Sequence, residues 1–241
     1  MRRMSGGIIA AGEGSRLRAA GFDCLKPLLP VSGRPLIAYT IGNLLSCDLE
    51  PVSLIFSEAA AGCEAKIRSL FPEADFRVTI RTTPSSLESF REVLRLSPEG
   101  PVVVTTVDCF CPPKVFRKFI DFARERMEHC DEPPVVLGVT RTFDDEKPLW
   151  VRRVRGDAAG RIAEISDEAG DAVTAGLYVI PEAVKRYAPP AGTSRLRNYL
   201  KWLVKEGTPM CSVELEEVID VDRAEDVAAA EALALRSKTV C

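Results

Sequence analysis

Residues 6–37 read GGIIAAGEGSRLRAAGFDCLKPLLPVSGRPLI, a stretch that combines an apolar run, a glycine-rich turn and several cations. The run GGIIAA is typical of a strand, and PLIAYTIGNLLS, which begins at Pro35, has the spacing of a helix. In the turn that follows the strand, Gly12 and Gly14 allow backbone N–H groups to approach a ligand closely, which favours an anion such as phosphate. The stretch therefore predicts a strand followed by a phosphate-binding loop.

The same alternation of a β-rich run with a helical pattern continues along the chain. The further pairs are PVSLIFS with AGCEAKIRSLF, DFRVTIRT with SSLESFREVLRL, and PVVVTTVD with PKVFRKFIDFARERM. Such repeats predict βα units with a largely parallel sheet between two layers of helices. After about residue 133 the sequence becomes strand-rich, which predicts antiparallel hairpins added to the same sheet. A helix TSRLRNYLKWLVKEG that ends at Gly207, a strand PMCSVELEEVIDVD and a terminal helix RAEDVAAAEALALRS are expected to follow. We therefore expect a single three-layer α/β/α domain with a Rossmann-like mixed sheet over residues 1–241.

Composition narrows the class of protein. The chain has 241 residues, a hydrophobic fraction of 46% and a net charge of −3, which is typical of a globular protein and argues against general binding to nucleic acid. Its apolar runs are too short for a membrane span or a signal peptide, so we expect a cytoplasmic protein, monomeric or homodimeric. The eight cysteines form no CxxC pair and are interpreted as reduced thiols. The single histidine, His129, leaves little for a zinc site or a histidine relay.

Three interpretations of the glycine-rich turn compete. A dinucleotide-binding loop requires a third glycine where this chain has Leu17, and a phosphate loop of the Walker type requires a glycine-lysine-serine or glycine-lysine-threonine run that is missing. A tight turn with solvated arginines remains open. The wider stretch is more specific, because Arg16 and Lys26 place two separated cations around one amide-rich loop, which suits a triphosphate and a second phosphate.

On these residues the chain resembles the nucleotidyltransferases of the sugar-nucleotide pyrophosphorylase and small cytidylyltransferase superfamily. That family opens with glycine-x-glycine-x-arginine and continues with PK-x-L-x-P-x-x-G-x-P-L, which KPLLPVSGRPLI matches except that Leu25 replaces the proline before the lysine. The resemblance implies the nucleotide-diphospho-sugar transferase fold. It also implies that Arg16 steadies the triphosphate and that Lys26 holds the reacting phosphates. The loop residues implied to contact the nucleotide are Ala11, Gly12, Gly14 and Ser15.

Phosphoryl chemistry of this kind needs Mg²⁺ on carboxylates, and the sequence offers three. Asp108 follows six β-branched residues of a buried strand, where ligands of open α/β sheets bind, although a turn or helix cap would also explain an aspartate there. Asp220 and Asp222 alternate with apolar residues in VIDVDRAEDV and point to one side of a strand. Asp222 has a second interpretation, since Asp222 and Glu225 have the spacing of a capping box.

The nucleoside and the acceptor are less clearly marked. Thr83, Ser85 and Ser86 lie where the superfamily contacts base and ribose, and Ser85 with Glu88 also has the spacing of a capping box. The segments DDEKPLWVR and ISDEAGDAVTAGLYVIP occupy the region that shapes the acceptor pocket in the superfamily. Lys147, in the first of them, would meet a phosphate or a neighbouring acid.

Together these features predict a Mg²⁺-dependent nucleotidyltransferase. It would move a nucleoside monophosphate from a nucleoside triphosphate, with CTP slightly favoured, to a sugar phosphate or alcohol phosphate and release pyrophosphate. An enzyme similar to the guanylyltransferase that matures the molybdenum cofactor is the alternative activity. A nucleotide-sensing module without turnover is the alternative from another class.

Overall fold

The structure is a computed structural model that describes residues 3–142 and 147–239, with side chains as far as residue 237. Strands and helices alternate over the first half of these residues, as the sequence predicts. The strands are β1 (Ser5–Ala10), β2 (Pro30–Val31), β3 (Arg34–Pro35), β4 (Val52–Phe56), β5 (Phe76–Ile80), β6 (Val102–Thr106), β7 (Cys109–Phe110), β8 (Val135–Thr140), β9 (Trp150–Arg153), β10 (Ile162–Ser166), β11 (Ala172–Ile180), β12 (Met210–Glu214) and β13 (Ile219–Asp220). The α-helices are α1 (Ser15–Ala19), α2 (Leu36–Leu45), α3 (Gly62–Leu70), α4 (Ser86–Leu96), α5 (Pro113–His129), α6 (Glu182–Lys185), α7 (Leu196–Lys205) and α8 (Ala224–Thr239).

Among the described residues, nine strands form one mixed sheet with the order β10-β9-β11-β6-β1-β4-β5, and β8 joins β11 to β12. Strands β6, β1, β4 and β5 are parallel neighbours, since the βα units return each strand in the same direction. β11 runs antiparallel to β6 and connects the two halves of the sheet. The predicted mixed sheet is therefore confirmed. The pairs formed after residue 133 are antiparallel as predicted, except that β12 runs parallel to β8.

Helices cover both faces of the sheet, which confirms the predicted three layers. Helices α2, α3 and α5 pack on one face through buried side chains such as Ile41, Ile67 and Phe119. Helices α4 and α7 cover the other face, where Phe90 and Tyr199 contact each other at 6.0 Å between ring centroids. Burial of apolar side chains on both faces is the main favourable contribution to such a fold.

A third cluster of buried side chains fixes the region around the glycine-rich loop. Helix α8 packs against the β2–β3 hairpin and the β7–β13 pair, with Phe110, Val221 and Leu233 buried between them. Ser32 donates its backbone N–H to Glu231 of α8 at 3.1 Å, which ties the hairpin to the C-terminal helix. Helix α8 therefore lies against the β2–β3 hairpin, in the same buried cluster as Leu17 of α1.

The C-terminal strand differs from the sequence prediction. PMCSVELEEVIDVD does not form one strand: β12 belongs to the main sheet, whereas β13 pairs antiparallel with β7 in a separate ribbon. Asp220 lies opposite Cys109 in this ribbon. β6 also ends at Thr106, so Asp108 lies in the turn after the strand rather than at its last position.

Two predicted helix signals are confirmed and one is wrong. The Ser85 hydroxyl accepts the Glu88 backbone N–H at 3.2 Å, and Gly207 with φ 79° follows the end of α7. The predicted Asp222–Glu225 capping box does not form. The carboxylate of Asp226 instead accepts the N–H groups of Asp222 at 3.0 Å and of Arg223 at 2.7 Å, because the Asp222 side chain is turned towards two cations.

The seven described cysteines are free thiols, in agreement with the expectation from their spacing, and Cys241 lies outside the described residues. Within the same residues, no helix combines the length and apolarity needed to cross a membrane.

Candidate active site

The glycine-rich loop depends on a backbone conformation that favours glycine. Gly14 has φ 61° and precedes α1, and a Cβ atom built on it would lie 3.0 Å from Cβ of Lys26. A side chain at position 14 would therefore be strained and would press on the lysine. Helix α1 is only five residues long and carries Arg16 on its first turn.

Lys26 is a buried cation held between two carboxylates. Its side chain is 5% exposed and belongs to a short 3-10 helix, Lys26–Leu28. The ammonium donates to Asp108 Oδ2 at 2.7 Å and also to Asp222 Oδ1. Because a buried charge is costly without partners, these two carboxylates stabilise the lysine inside the protein.

Arg16 completes this network on the solvent side. Its Nη1 atom donates to Asp222 Oδ2 at 3.1 Å, and its side chain is 52% exposed. Asp222 thus has a cation on each of its two carboxylate oxygens. The network joins the first loop of the chain to the segment before the last helix.

The three candidate metal ligands converge. One oxygen from each of Asp108, Asp220 and Asp222 lies within 4.8 Å of the others. The β7–β13 ribbon produces this proximity, and Val221 donates its backbone N–H to the Asp108 carbonyl at 3.0 Å. Three carboxylate oxygens are a donor set that fits Mg²⁺, which takes few protein ligands and completes its octahedron with water and phosphate oxygens.

Charge pairing controls ionisation in this network. Burial opposes the charge of Lys26, but the Asp108 and Asp222 carboxylates outweigh it and raise the pKa of the ammonium above its usual value. Burial would also raise the pKa of Asp108, and the nearby Lys26 ammonium outweighs it and lowers that pKa. Both groups are therefore ionised at neutral pH.

Two other titratable side chains near the carboxylates stay neutral. Burial, with smaller contributions from nearby groups such as Asp108, raises the pKa of Cys109 well above its usual value. Burial likewise raises the pKa of Tyr178. A thiol or phenol in this state is a poor nucleophile, which argues against covalent chemistry on Cys109 or Tyr178.

The network opens into a cleft of about 470 Å³, within the range of small-molecule sites. Its lining includes Arg16 and the three carboxylates, and also Thr140, Thr174 and Arg197. Gly176 with φ 70° forms part of the wall, where a Cβ atom would lie 2.5 Å from Thr106 Oγ1. Gly176 therefore allows β11 to approach the end of β6 beside Asp108.

The predicted nucleoside contacts are not among the residues that line this cleft. Thr83, Ser85 and Ser86 lie around the start of α4 but do not line the cleft. Their hydroxyls make internal hydrogen bonds: Thr83 with Ser89 at 2.6 Å, Ser85 as the cap of α4, and Ser86 with the Leu196 N–H at 3.1 Å. Their contact with base and ribose stays a prediction.

The predicted acceptor region is only partly described. Residues 143–146 of the first segment lie outside the described residues, so the structure gives no account of Asp144, Asp145 or Glu146. Lys147 is exposed, its carbonyl accepts Arg197 Nη2 at 2.7 Å, and it does not line the cleft. Its role towards a phosphate stays a prediction.

Sequence reasoning missed several residues that shape the site. The glycine inside the strand pattern AVTAGLYVI was a usable signal for Gly176, since an isolated glycine in a strand often marks a bulge or close backbone approach. From the sequence, either Glu225 or Asp226 is suitable to cap the start of α8, and only the structure shows that Asp226 does so. Thr140, Thr174 and Arg197 carry no local pattern that points to a cleft.

Solved structures share this fold over nearly the whole chain. The inositol-1-phosphate CTP transferase from T. maritima has a TM-score of 0.80 and 20% identity, covering 99% of this chain and 98% of that one. UDP-glucose pyrophosphorylase complexed with UDP-glucose has a TM-score of 0.77 and 14% identity, covering 97% and 99%. The fold is therefore that of the sugar-nucleotide pyrophosphorylases, as predicted. Residues 6–175 match the family model of the MobA-like NTP transferase domain, and the chain belongs to that family.

Two curated relatives are similar in sequence. The CMP-5'-(3-aminopropyl)phosphonate synthase of Streptomyces rubellomurinus is 29% identical over 191 residues, which are 74% of this chain and 28% of that protein. The glucose-1-phosphate thymidylyltransferase of Actinoplanes sp. is 28% identical over 168 residues, 68% of this chain and 52% of that protein. The chain thus spans about a quarter and about half of the length of these relatives.

Proposed function

We propose that this protein transfers a nucleotidyl group from a nucleoside triphosphate to a small acceptor that ends in a phosphate or phosphonate. The observation that carries the proposal is the convergence of Lys26, Arg16 and three carboxylates at the glycine-rich loop. This combination of cations and hard ligands suits a triphosphate with its metal ion. Relatives named as a CMP-5'-(3-aminopropyl)phosphonate synthase and a glucose-1-phosphate thymidylyltransferase support the reaction class.

In this reaction an acceptor oxygen attacks the α-phosphorus, a new P–O bond forms, and the bond from the α-phosphorus to the bridging oxygen breaks. Pyrophosphate leaves with the electron pair of that bond. Arg16 and Lys26 stabilise charge on the phosphates, and the backbone of Ala11, Gly12, Gly14 and Ser15 cradles the triphosphate. The acceptor oxygen is already ionised at neutral pH. The chain therefore needs no general base.

The carboxylates of Asp108, Asp220 and Asp222 would hold Mg²⁺. When bound, the ion would neutralise charge that develops on the phosphate oxygens. The chain contributes the alignment of these ligands, because the β7–β13 ribbon fixes Asp220 opposite the residue after Asp108. Loss of either strand of the ribbon would separate the ligands.

CTP is the nucleotide that we favour. The Streptomyces relative is named for a CMP derivative of a phosphonate, which supports both the base and an acceptor with a charged phosphorus group. Arg197, Thr140 and Thr174 line the same cleft as the carboxylates and would contact the acceptor there. The family match to a MobA-like domain keeps guanylyl transfer as the second candidate.

A pyrophosphate-release assay tests the proposal. The protein is incubated with Mg²⁺, each of the four nucleoside triphosphates, and pools of small phosphates and phosphonates. We expect release with CTP that requires both Mg²⁺ and the acceptor. Asp108→Asn should reduce the rate on the order of 10²-fold, because it removes an anionic ligand and a partner of Lys26.

Asp157→Asn is the matched control, since Asp157 pairs with Arg161 in a turn that does not line the cleft, and it should retain the wild-type rate. Pyrophosphate release with GTP and with none of the other three triphosphates would favour the guanylyl alternative. Nucleotide binding without release in any combination would contradict transfer and favour a sensing module.

A further inference from the structure

The chain's own cations use oxygens that a metal ion would need. Lys26 donates hydrogen bonds to Asp222 Oδ1 and to Asp108 Oδ2. Arg16 donates a hydrogen bond to the other oxygen of Asp222, Oδ2. A divalent ion on the same oxygens would meet the Lys26 ammonium at close range, and the two positive charges would repel each other. Metal and lysine therefore cannot both occupy the space between Asp108 and Asp222.

Lys26 also cannot leave these carboxylates without another anion. Its side chain is 5% exposed, so a move away from Asp108 and Asp222 without compensation would leave a buried charge unpaired. The lysine stem passes beside the glycine-rich loop, because a Cβ atom on Gly14 would lie 3.0 Å from Cβ and 3.7 Å from Cδ of Lys26. Rotation of this stem would carry the ammonium from the carboxylates to phosphates bound at the loop.

We propose that Lys26 is an internal counter-ion that metal and triphosphate displace together, so that metal binding is conditional on the nucleotide. In the free protein the ammonium pairs with Asp108 and Asp222 and keeps metal affinity low. When a triphosphate reaches the loop, the ammonium moves to its phosphates and frees Asp108 Oδ2 and Asp222 Oδ1 for the ion. This inference rests on the proposed function for the identity of the nucleotide, but the exchange itself concerns binding and not turnover.

Binding of Mn²⁺, followed by electron paramagnetic resonance, tests the exchange. Wild type and Lys26→Met are titrated with Mn²⁺ alone, and then in the presence of α,β-methylene CTP. Without nucleotide, Lys26→Met should bind Mn²⁺ about tenfold more tightly than wild type, because the competing cation is gone. The analogue should tighten Mn²⁺ binding more in wild type than in the variant, because only wild type has a lysine to displace.

Lys185→Met is the matched control, since Lys185 is 9% exposed and pairs with Glu182 outside the cleft, and it should bind Mn²⁺ as wild type does. Lys26→Arg keeps the positive charge, so without nucleotide it should bind Mn²⁺ as weakly as wild type does. If Lys26→Met does not show a cooperative thermal unfolding transition, Lys26→Gln takes its place. Equal or weaker Mn²⁺ binding by the neutral variant would overturn the exchange, as would the absence of Mn²⁺ binding in every form with and without the analogue.

The Mn²⁺ titration and the pyrophosphate-release assay test different claims, and each can fail without the other. Tighter Mn²⁺ binding in Lys26→Met would support the exchange even if no triphosphate yielded pyrophosphate. Pyrophosphate release by wild type with unchanged Mn²⁺ affinity in the variant would retain the transfer reaction and reject the exchange.

Discussion

Single residues at the glycine-rich loop would carry most of the proposed chemistry. Sequence alone predicted Arg16, Lys26, Asp108, Asp220 and Asp222 one by one, since each stands in a recognisable pattern. It could not predict that Lys26 bridges Asp108 and Asp222, because that contact depends on long-range packing rather than on neighbours in the chain. It also left open a capping role for Asp222, which the structure gives to Asp226.

Gly14→Ala should lower both stability and activity. The substitution forces a Cβ atom onto φ 61° and within 3.0 Å of the Lys26 side chain, at a cost of about 1 kcal/mol in the free energy of unfolding. Gly21→Ala is the control, since Gly21 has φ 90° but no atom within 4 Å of a built Cβ. Urea unfolding should show a loss in both variants, and pyrophosphate release should fall only in Gly14→Ala. Equal activity of the two variants would contradict a role for the Gly14–Lys26 contact.

The Lys26–Asp108 pair should contribute stability over a wide pH window. The pKa of Lys26 is raised, so its contribution is present below its usual pKa of 10.5 and is lost as pH rises through the higher folded value. The pKa of Asp108 is lowered, so its contribution is present above 3.8 and is lost as pH falls through the lower folded value.

Wild type and a Lys26→Met, Asp108→Asn double variant are compared by urea unfolding at a series of pH values. The difference in free energy of unfolding should stay constant between about pH 5 and pH 9 and should change only beyond that window. A steep change in this difference near neutral pH would mean that Lys26 or Asp108 titrates there. That result would contradict the directions of both pKa shifts.

At the scale of elements, the shortest pieces of structure position the site. β7 and β13 have two residues each, and their pairing brings Asp220 beside the turn that contains Asp108. Elements this short have no periodicity, so the sequence could not predict them, whereas long periodic helices such as α4 and α5 were predicted. The expected continuous strand before α8 was wrong because the chain leaves the main sheet after Glu214.

Asp226→Ala should loosen the start of α8 and with it Asp222. The Asp226 carboxylate accepts two backbone N–H groups, those of Asp222 and Arg223, and loss of such a cap costs about 1 kcal/mol. Thermal unfolding should show a lower midpoint, and the metal concentration for half-maximal activity should rise. Glu225→Ala is the control, because Glu225 would matter only in the predicted capping box. A larger effect at Glu225 than at Asp226 would contradict the observed cap.

At the scale of the whole molecule, the cleft lies where the parallel and antiparallel halves of the sheet meet. The turn after β6 carries Asp108, the loop after β1 carries the glycines, and β11 of the antiparallel half forms a wall. Ligands of open α/β sheets bind beyond the carboxyl ends of strands in this way. The sequence predicted the class of fold from its alternation, but not the strand order, because the pairing of β11 with β6 joins segments far apart in the chain. A single domain over residues 1–241 stays a prediction.

The most direct measurement is anomalous scattering from crystals of the protein grown with Mn²⁺ and α,β-methylene CTP. We expect a Mn²⁺ peak at about 2.2 Å from carboxylate oxygens of Asp108, Asp220 and Asp222, with the triphosphate on the glycine-rich loop beside Arg16 and Lys26. A peak away from these carboxylates, or a triphosphate bound elsewhere on the molecule, would contradict a nucleotidyl-transfer site in this cleft.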